Sequence, residues 1–346
     1  MSLAKLTAHY LPAIEDEMRR ALGVGEPPLR DYYVMMEYHL GWTDEKGEPA
    51  PRGHTGQLSS GGKRIRPLLC LLTCAASGGD WQCALPMAAA LELLHNFSLL
   101  HDDIQDNSPL RRGRPTVWKI WGIPQAINAG DAMFTLAHLA PHQLTTRGVA
   151  PAIALAALAE FDRTCLALTQ GQYLDMGFET RERVTAAEYL AMIERKTAAL
   201  IAACAALGAR LAGADAGRVE HFRQFGRNLG LAFQVQDDLL GIWGDPAVTG
   251  KSAASDLEKR KKSLPVVCGL EKSAGFARAY AQPHTPDEPV TALAHTLEQL
   301  GARDDTQATA RRLTAEAVEH FEAAQPAGEA AAALRELTDQ LLNRMH

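Results

Sequence analysis

Asp102, Asp103 and Asp106 close the apolar stretch LELLHNFSLLHDDIQD, and Asp237 and Asp238 close a second, FQVQDDLLG, with 135 residues between Asp102 and Asp237. On a helix Asp102 and Asp106 lie one turn apart and share a face, with Asp103 on its flank. Hard carboxylate oxygens at that spacing suit Mg²⁺, which takes one or two carboxylates and completes its shell with water and substrate phosphate. Acids one turn apart are also common on plain solvated surfaces. Here they follow directly on Leu93, Leu94, Phe97, Leu99 and Leu100, which a solvated face would not do. Two such helix ends point to metal-bound phosphate held over an apolar interior.

The cations supply the complementary chemistry. GGKRIRP places Lys63, Arg64 and Arg66 after paired glycines that let backbone N–H groups approach an anion. A helix start with a solvated charged face is an equally good reading of that segment. LRRGRPTVW adds Arg111, Arg112 and Arg114; ERKTAAL adds Lys196 and Thr197; and Lys251, Lys259, Lys261 and Lys262 follow the second acids. Cations near an acid-only calcium site would oppose binding, whereas at a diphosphate site Mg²⁺ and Lys or Arg share one anion. His101, beside the acids, reads as a structural histidine flanking the helix.

The elements that must position these groups are helices. Ala and Leu dominate, β-branched runs are short, and apolar periodicity predicts helices over 3–22, 29–40, 63–77, 84–106, 125–144, 150–173, 186–212, 216–242, 263–271, 288–301, 305–324 and 328–344. The fold class expected is an all-α bundle, a single domain over residues 1–346. Two long irregular stretches, 41–62 and 244–262, read as loops beside a site. With 346 residues, 47% of them hydrophobic, there is material for a substantial core, and a net charge of −6 excludes a broad basic surface for nucleic acid. The six cysteines are scattered without a C-x-x-C pair and read as reduced, mostly buried thiols. The N-terminal segment is a charged amphipathic helix rather than a signal sequence, and Thr197–Leu207 falls short of the ~20 residues that span a bilayer. A soluble, cytoplasmic protein with no transmembrane segment is the expectation.

In order and spacing, GGKRIRP, ELLHNFSLLHDDIQD with RRGRPTVW, Lys196-Thr197, FQVQDDLLG, and GK followed by SDLEKRKKSLPVV resemble the trans-isoprenyl diphosphate synthases, the polyprenyl synthetase family. The likeness covers roughly residues 58–270, ahead of the C-terminal helices predicted over 288–344. It implies an isoprenoid-synthase-type helical bundle around a deep central cavity, a homodimer, and three Mg²⁺ ions bridging aspartates to an allylic diphosphate. The implied reaction is head-to-tail condensation of isopentenyl diphosphate with dimethylallyl, geranyl or farnesyl diphosphate, releasing diphosphate. Carried over by position, Asp102, Asp106 and Asp237 are metal ligands, and Asp103 and Asp238 support them. Arg111, Lys196, Thr197, Gln234, Lys251 and, less directly, Lys261 contact the allylic diphosphate. Lys63, Arg66, His95 and Arg112 form the pocket for isopentenyl diphosphate. Arg64 and Arg114 keep a solvated reading.

One position departs from the family pattern: Gly241 stands where many relatives have a third aspartate, leaving room for a specialised activity on the same scaffold. Product length follows from depth. Phe97 and Ser98 lie one helical turn before Asp102, ~6–8 Å along the axis, with Leu93 and Leu94 a turn below. A single aromatic at this level resembles geranylgeranyl (C20) synthases, with C15 and C25 products as neighbours; Phe97 could also simply pack in the bundle. A class I terpene cyclase would need the aspartates without the isopentenyl pocket, and a non-catalytic partner subunit would carry degraded aspartates.

Overall fold

The computed structural model describes residues 2–50, 62–245, 254–282 and 290–342, the side chain of Ser255 excepted. Among them the structure is almost entirely helical, divided into two compact units. The first comprises residues 1–159, 207–214 and 327–331, and the second residues 160–206, 215–326 and 332–346.

In the first unit, helix α1 (Leu3–Leu22) buries Leu3, Leu6, Tyr10, Ile14, Met18 and Leu22, a stripe at three- and four-residue spacing that packs against α4 (Leu85–Gln105). Helix α4 is the centre of this unit. Its first two turns are buried on every side, and it also packs against α3 (Ile65–Ala76) and α6 (Ile123–Leu139). A 3₁₀ turn, Trp81–Ala84, leads into it, with the Asp80 carboxylate accepting from the Gln82 N–H, and Pro86 occupies the first turn, where its missing N–H costs nothing. The segment Trp81–Gln105 is long and apolar enough to cross a membrane by length alone, and outranks Thr197–Leu207 in that respect; most of it is buried in this unit, as a core helix should be.

Helix α2 (Arg30–His39) runs into a built turn rather than an open loop. Asp44 Oδ1 accepts from the N–H groups of Lys46 and Glu48, both at 2.9 Å, and Trp42 is buried. The remainder of the predicted 41–62 loop, residues 51–61, lies outside the described residues. The segment after the acids, which no predicted helix covers, is a hairpin: β1 (Leu110–Arg111) pairs antiparallel with β2 (Arg114–Pro115). Its two-residue turn, Arg112-Gly113, has φ of 52° and 76°, the positive pair that a tight hairpin requires. Helix α5 (Val117–Trp121) follows.

The second unit contains most of α7 (Pro151–Thr180), which continues past its predicted end at 173 through DMGFET, Gly177 being tolerated inside the helix. Helices α8 (Ala186–Ile193) and α9 (Ala199–Leu211), predicted as one helix over 186–212, are joined by a π-helical turn at Glu194–Ala198. Thr185 and Glu188 form a reciprocal capping box that fixes the start of α8. Helix α10 (Ala216–Trp243) is capped by Asp215. The short α11 (Ser255–Glu258), within the predicted 244–262 loop, precedes α12 (Leu264–Lys272) and α13 (Ala274–Tyr280); neither α11 nor α13 was predicted. Then come α14 (Val290–Gln299), α15 (Ala302–Ala323), which packs along α10, and α16 (Gly328–Leu342).

Candidate active site

The first acidic cluster occupies the last turn of α4, where the helix presents unpaired carbonyls and the negative end of its dipole. Adding carboxylates there is unfavourable unless cations answer them. Asp102 is half-buried and Asp106, at the C-cap, is exposed, while Asp103 turns inward with its side chain only 2% exposed. The answering cation is Arg111, whose Nε–H reaches both Asp103 oxygens at 2.8 and 3.0 Å. Burial raises the Asp103 carboxyl to about 6 despite Arg111, with Asp102 and Asp106 adding to the rise.

The hairpin that carries Arg111 also carries Arg112 at its turn. Gly62, whose φ of 80° favours glycine, lies against the Arg112 guanidinium. Lys63 itself is exposed. His95 is kept well below its ordinary pKa by burial, and then by Arg66, Arg112 and Arg111, so it is neutral at pH 7 amid cations. Arg66, His95, Arg111 and Arg112 are therefore brought together in one electropositive patch.

Arg64 and Arg114 correct the solvated reading. Arg64 adopts φ of 48°, which turns its side chain inward between its neighbours Lys63 and Arg66. Its buried guanidinium pairs with Glu15 at 2.7 Å and Glu92 at 3.1 Å and donates to the Leu40 carbonyl at 3.1 Å. Arg114 lies 3.8 Å over the Tyr38 ring and donates to the Tyr38 and Thr43 carbonyls at 3.3 and 2.9 Å. Both are structural cations that brace the strand and loop around the patch.

Below the acids, Phe97 does not stand alone. Its ring packs against Phe134 of α6 with centroids 4.7 Å apart and against His101 at 4.8 Å, and Phe134 in turn meets His138 edge to face. Ser98 is half-buried and spends its hydroxyl on the His95 carbonyl at 2.8 Å; Leu94 is fully buried. His101 packs on α6, consistent with a structural histidine.

The second cluster is built differently. In the last turns of α10, Asp237 is half-exposed and Asp238 is buried. Every Asp238 donor is a neutral group: the Tyr189 hydroxyl, the Leu264 N–H at 3.0 Å and the Gln234 amide at 3.1 Å. Burial nevertheless carries its carboxyl to about 7. Gln234 also accepts from the Thr197 hydroxyl at 3.1 Å, so Thr197, Gln234, Asp238 and Tyr189 form one chain of hydrogen bonds.

Thr197 and Lys196 project from the π-helical turn, a local widening that re-aims side chains within a helix. A Cβ on Gly171 would lie 2.2 Å from the Lys196 backbone nitrogen, so only glycine lets α7 pass this closely. Lys196 Nζ pairs with Asp175 on the same helix. Lys261 is exposed, and Lys262 donates to the Phe178 and Glu179 carbonyls at 2.6 and 3.0 Å, a tether rather than a ligand contact. Lys251 lies outside the described residues.

The place of the missing third aspartate is closed. A Cβ at Gly241 would meet Asp256 Oδ2 at 2.2 Å, so a carboxylate from α11 stands against the α10 backbone where a side chain would have emerged. Asp256, Tyr189, Asp175 and Glu92 escaped the sequence reading because each is an ordinary helical residue whose partner lies far along the chain. No sequence signal marks them beyond their polarity.

Among the described residues no three His, Cys, Asp or Glu side chains converge into a preformed metal cage. Within the first unit the donors nonetheless suit Mg²⁺ bound jointly with a phosphate ligand: Asp102 and Asp106 share one helical face, with Arg111 reaching over from the hairpin. In the second unit, Asp237 is accessible. 

Comparison with known proteins gives a consistent picture. A family model described as polyprenyl synthetase matches residues 54–297. A (2E,6E)-farnesyl diphosphate synthase of Mycobacterium tuberculosis is 40% identical over 345 residues, covering 97% of this chain and 91% of that protein. A geranylgeranyl diphosphate synthase of the same species is 42% identical over 275 residues, 80% of this chain and 75% of that one. A solved polyprenyl synthetase from Streptomyces coelicolor A3(2) superposes with a TM-score of 0.85 at 36% identity, covering 96% of this chain and 97% of that chain.

Proposed function

This chain belongs to the polyprenyl synthetase family and is a prenyltransferase, and we propose that it condenses isopentenyl diphosphate head-to-tail with an allylic diphosphate to give a short all-trans prenyl diphosphate. The observation that carries the reading is the electropositive patch of Arg66, His95, Arg111 and Arg112 beside the acids of α4. A cyclase ionising a single diphosphate has no use for a second anion pocket, and a non-catalytic subunit has no reason to keep either.

By resemblance, Asp102, Asp106 and Asp237 would be the ligands of three Mg²⁺ ions. When bound, Mg²⁺ supplies the positive charge that makes diphosphate a leaving group. Lys196, Thr197, Gln234, Arg111 and Lys261 orient that diphosphate, with Lys251 assigned the same role by resemblance. Asp103 and Asp238 act from behind, each buried and fully hydrogen-bonded, so that their neighbours point outward. Lys63, Arg66, His95 and Arg112 hold isopentenyl diphosphate with its double bond toward the allylic carbon. Cleavage of the allylic C–O bond leaves a delocalised cation, which apolar walls shield from water. The double bond attacks it, and the departing diphosphate takes the proton whose loss restores the alkene.

For product length we favour C20, with C15 and C25 adjacent. Phe97 is backed by Phe134, which supports a floor one turn below the acids. Phe97→Ala should shift the products to longer chains, and an unchanged distribution would assign the floor elsewhere. We also favour a cytoplasmic homodimer. Helix α7 exposes Leu155, Leu166, Tyr173 and Met176 at spacings that keep one stripe, a surface suited to a second copy.

The deciding experiment is product analysis with Mg²⁺ and dimethylallyl, geranyl, farnesyl or geranylgeranyl diphosphate, each with and without isopentenyl diphosphate. Longer diphosphates formed only in its presence are expected. Hydrocarbon or alcohol formed without it would instead establish a cyclase, and inactivity throughout would direct attention to a partner subunit.

A further inference from the structure

The corner between α3 and α4, in the first unit, brings two cysteines together. Cys74 is buried in the last turn of α3, and Cys83 is half-buried in the 3₁₀ turn that leads into α4. One carbonyl joins them: that of Asp80 accepts from the Cys83 N–H at 3.1 Å and lies 3.6 Å from Cys74 Sγ. The turn is tight, with the Gly79 N–H donating to the Cys74 carbonyl at 3.1 Å. Gly79 fits between Cys74 Sγ and the Ala212 backbone, where a Cβ would stand 3.0 Å from the sulfur and 2.6 Å from Ala212 Cα. Cys83 Sγ reaches the Leu211 carbonyl at 3.8 Å, and Trp81 packs on Tyr10 of α1 with ring centroids 4.4 Å apart. Packing from three sides thus fixes both cysteines.

The two thiols interact, and they are unequal. All six cysteines are free. The Cys74 S–H has two acceptors within reach, the Asp80 carbonyl and Cys83 Sγ. Its hydrogen bond to Cys83 outweighs burial and lowers the Cys83 thiol, while the same bond, and then burial, raises Cys74. Elsewhere burial pushes Cys165 up to about 12 and Cys268 up to about 11. A half-exposed sulfur that gives up its proton readily, beside a buried one that keeps it, is the pairing of an attacking and a resolving thiol.

We propose that Cys74 and Cys83 form a reversible thiol–disulfide pair, in which Cys83 reacts with a low-molecular-weight disulfide and Cys74 resolves the product. The Cys83 thiolate attacks one sulfur of the oxidant RS–SR, making a mixed disulfide and releasing RS⁻, which takes up a proton equivalent to the one Cys83 lost. Cys74 then gives up its proton as its sulfur attacks Cys83 Sγ; the mixed disulfide breaks, and the second RS⁻ leaves and is protonated. Two protein thiols lose two electrons, and the oxidant is reduced to two thiols. In a reducing compartment the pair stays a dithiol, so the bond forms only when such an oxidant accumulates. It closes residues 74–83 into a ring at the end of α4 remote from the acids, since Asp102 lies 17 residues beyond Leu85, about 25 Å along the axis. The corner is clamped while the acids are left untouched.

The test incubates the reduced, folded full-length protein with oxidised glutathione and reads its intact mass, followed by peptide mapping without reductant. The expected result is loss of two hydrogens with no glutathione retained, a peptide linked through Cys74 and Cys83, and return to the dithiol with dithiothreitol. Cys74→Ala should instead hold glutathione on Cys83, and Cys83→Ala should leave Cys74 unmodified, with circular dichroism showing that both variants are folded. The map of the unmodified protein decides the matter even where a variant does not fold. An unchanged mass, glutathione retained on Cys83 of the unmodified protein, or a linkage through Cys70 would each overturn the proposal, as would a Cys74–Cys83 link that forms only after unfolding in urea.

Discussion

Asp103 and Asp238 hold the same place in two similar motifs, each the inward-turned second member of an aspartate pair at a helix end, yet they are satisfied in opposite ways. Asp103 is matched by a cation, Arg111, reaching over from a hairpin. Asp238 is matched by dipoles alone, from Tyr189, Gln234 and the Leu264 N–H. Both carboxyls are raised, to about 6 and about 7, because burial outweighs the partners in each case. An ion pair ties the first acid to a residue proposed as a diphosphate contact, so that in this proposal ligand binding and support share one group. A dipolar network leaves the second acid independent of the cations and rigid before any ligand arrives.

The contrast can be broken at several points. The largest effect is expected at the partners the buried acids orient: Asp102→Ala should lower kcat by roughly 10³-fold or more, with the fold intact by circular dichroism, and near-normal turnover would remove the first cluster from the mechanism. Arg111→Ala comes next, because it strands a buried carboxylate. A loss of about 3 kcal/mol in denaturant unfolding is expected, and a loss below about 1 kcal/mol would show the ion pair to be dispensable.

Gly241→Asp tests whether Asp256 has closed the missing position. It should cost about 2 kcal/mol through overlap and like-charge contact, and Asp256→Ala in the same chain should recover much of that; additive losses would deny the contact. Tyr189→Phe should cost about 1–1.5 kcal/mol, since Asp238 keeps two of its donors. A loss as large as that of Arg111→Ala would erase the distinction between the two supports.

A further effect is in pH. His39 and His95 have folded pKa values well below 6.5, so the unfolded chain takes up protons that the folded chain refuses. Their contribution to stability is present above about pH 6.5 and is lost as pH falls below it, by up to about 1.4 kcal/mol per pH unit for each histidine. The raised carboxyls act with the opposite sign, so the histidine share is read as the difference between the unmodified protein and His95→Gln. Parallel stability curves for the two would show that His95 is not held neutral.

Much of this architecture was legible because helices are local. The predicted α1, α4 and α10 agree with the observed spans within a residue or so, since apolar spacing, Asp215 and Pro86 act within a few positions of one another. The hairpin at 110–115 and the π-helical turn at 194–198 were not predicted. The first hides in an arginine run whose only turn signal is Gly113, and the second is one extra residue within an otherwise periodic helix.

By itself the sequence determined that the chain is helical, that Asp102 and Asp106 share a face, and which cations accompany them, because helical geometry and chain order require nothing beyond near neighbours. Only the tertiary structure decided that Arg64 turns inward to Glu15 and Glu92, that Tyr189 supports Asp238, and that Asp256 occupies the space beside Gly241. Each of those outcomes joins residues at least 15 positions apart. Which buried polar group finds which partner is settled by packing, since desolvation penalises every arrangement that leaves one unmatched.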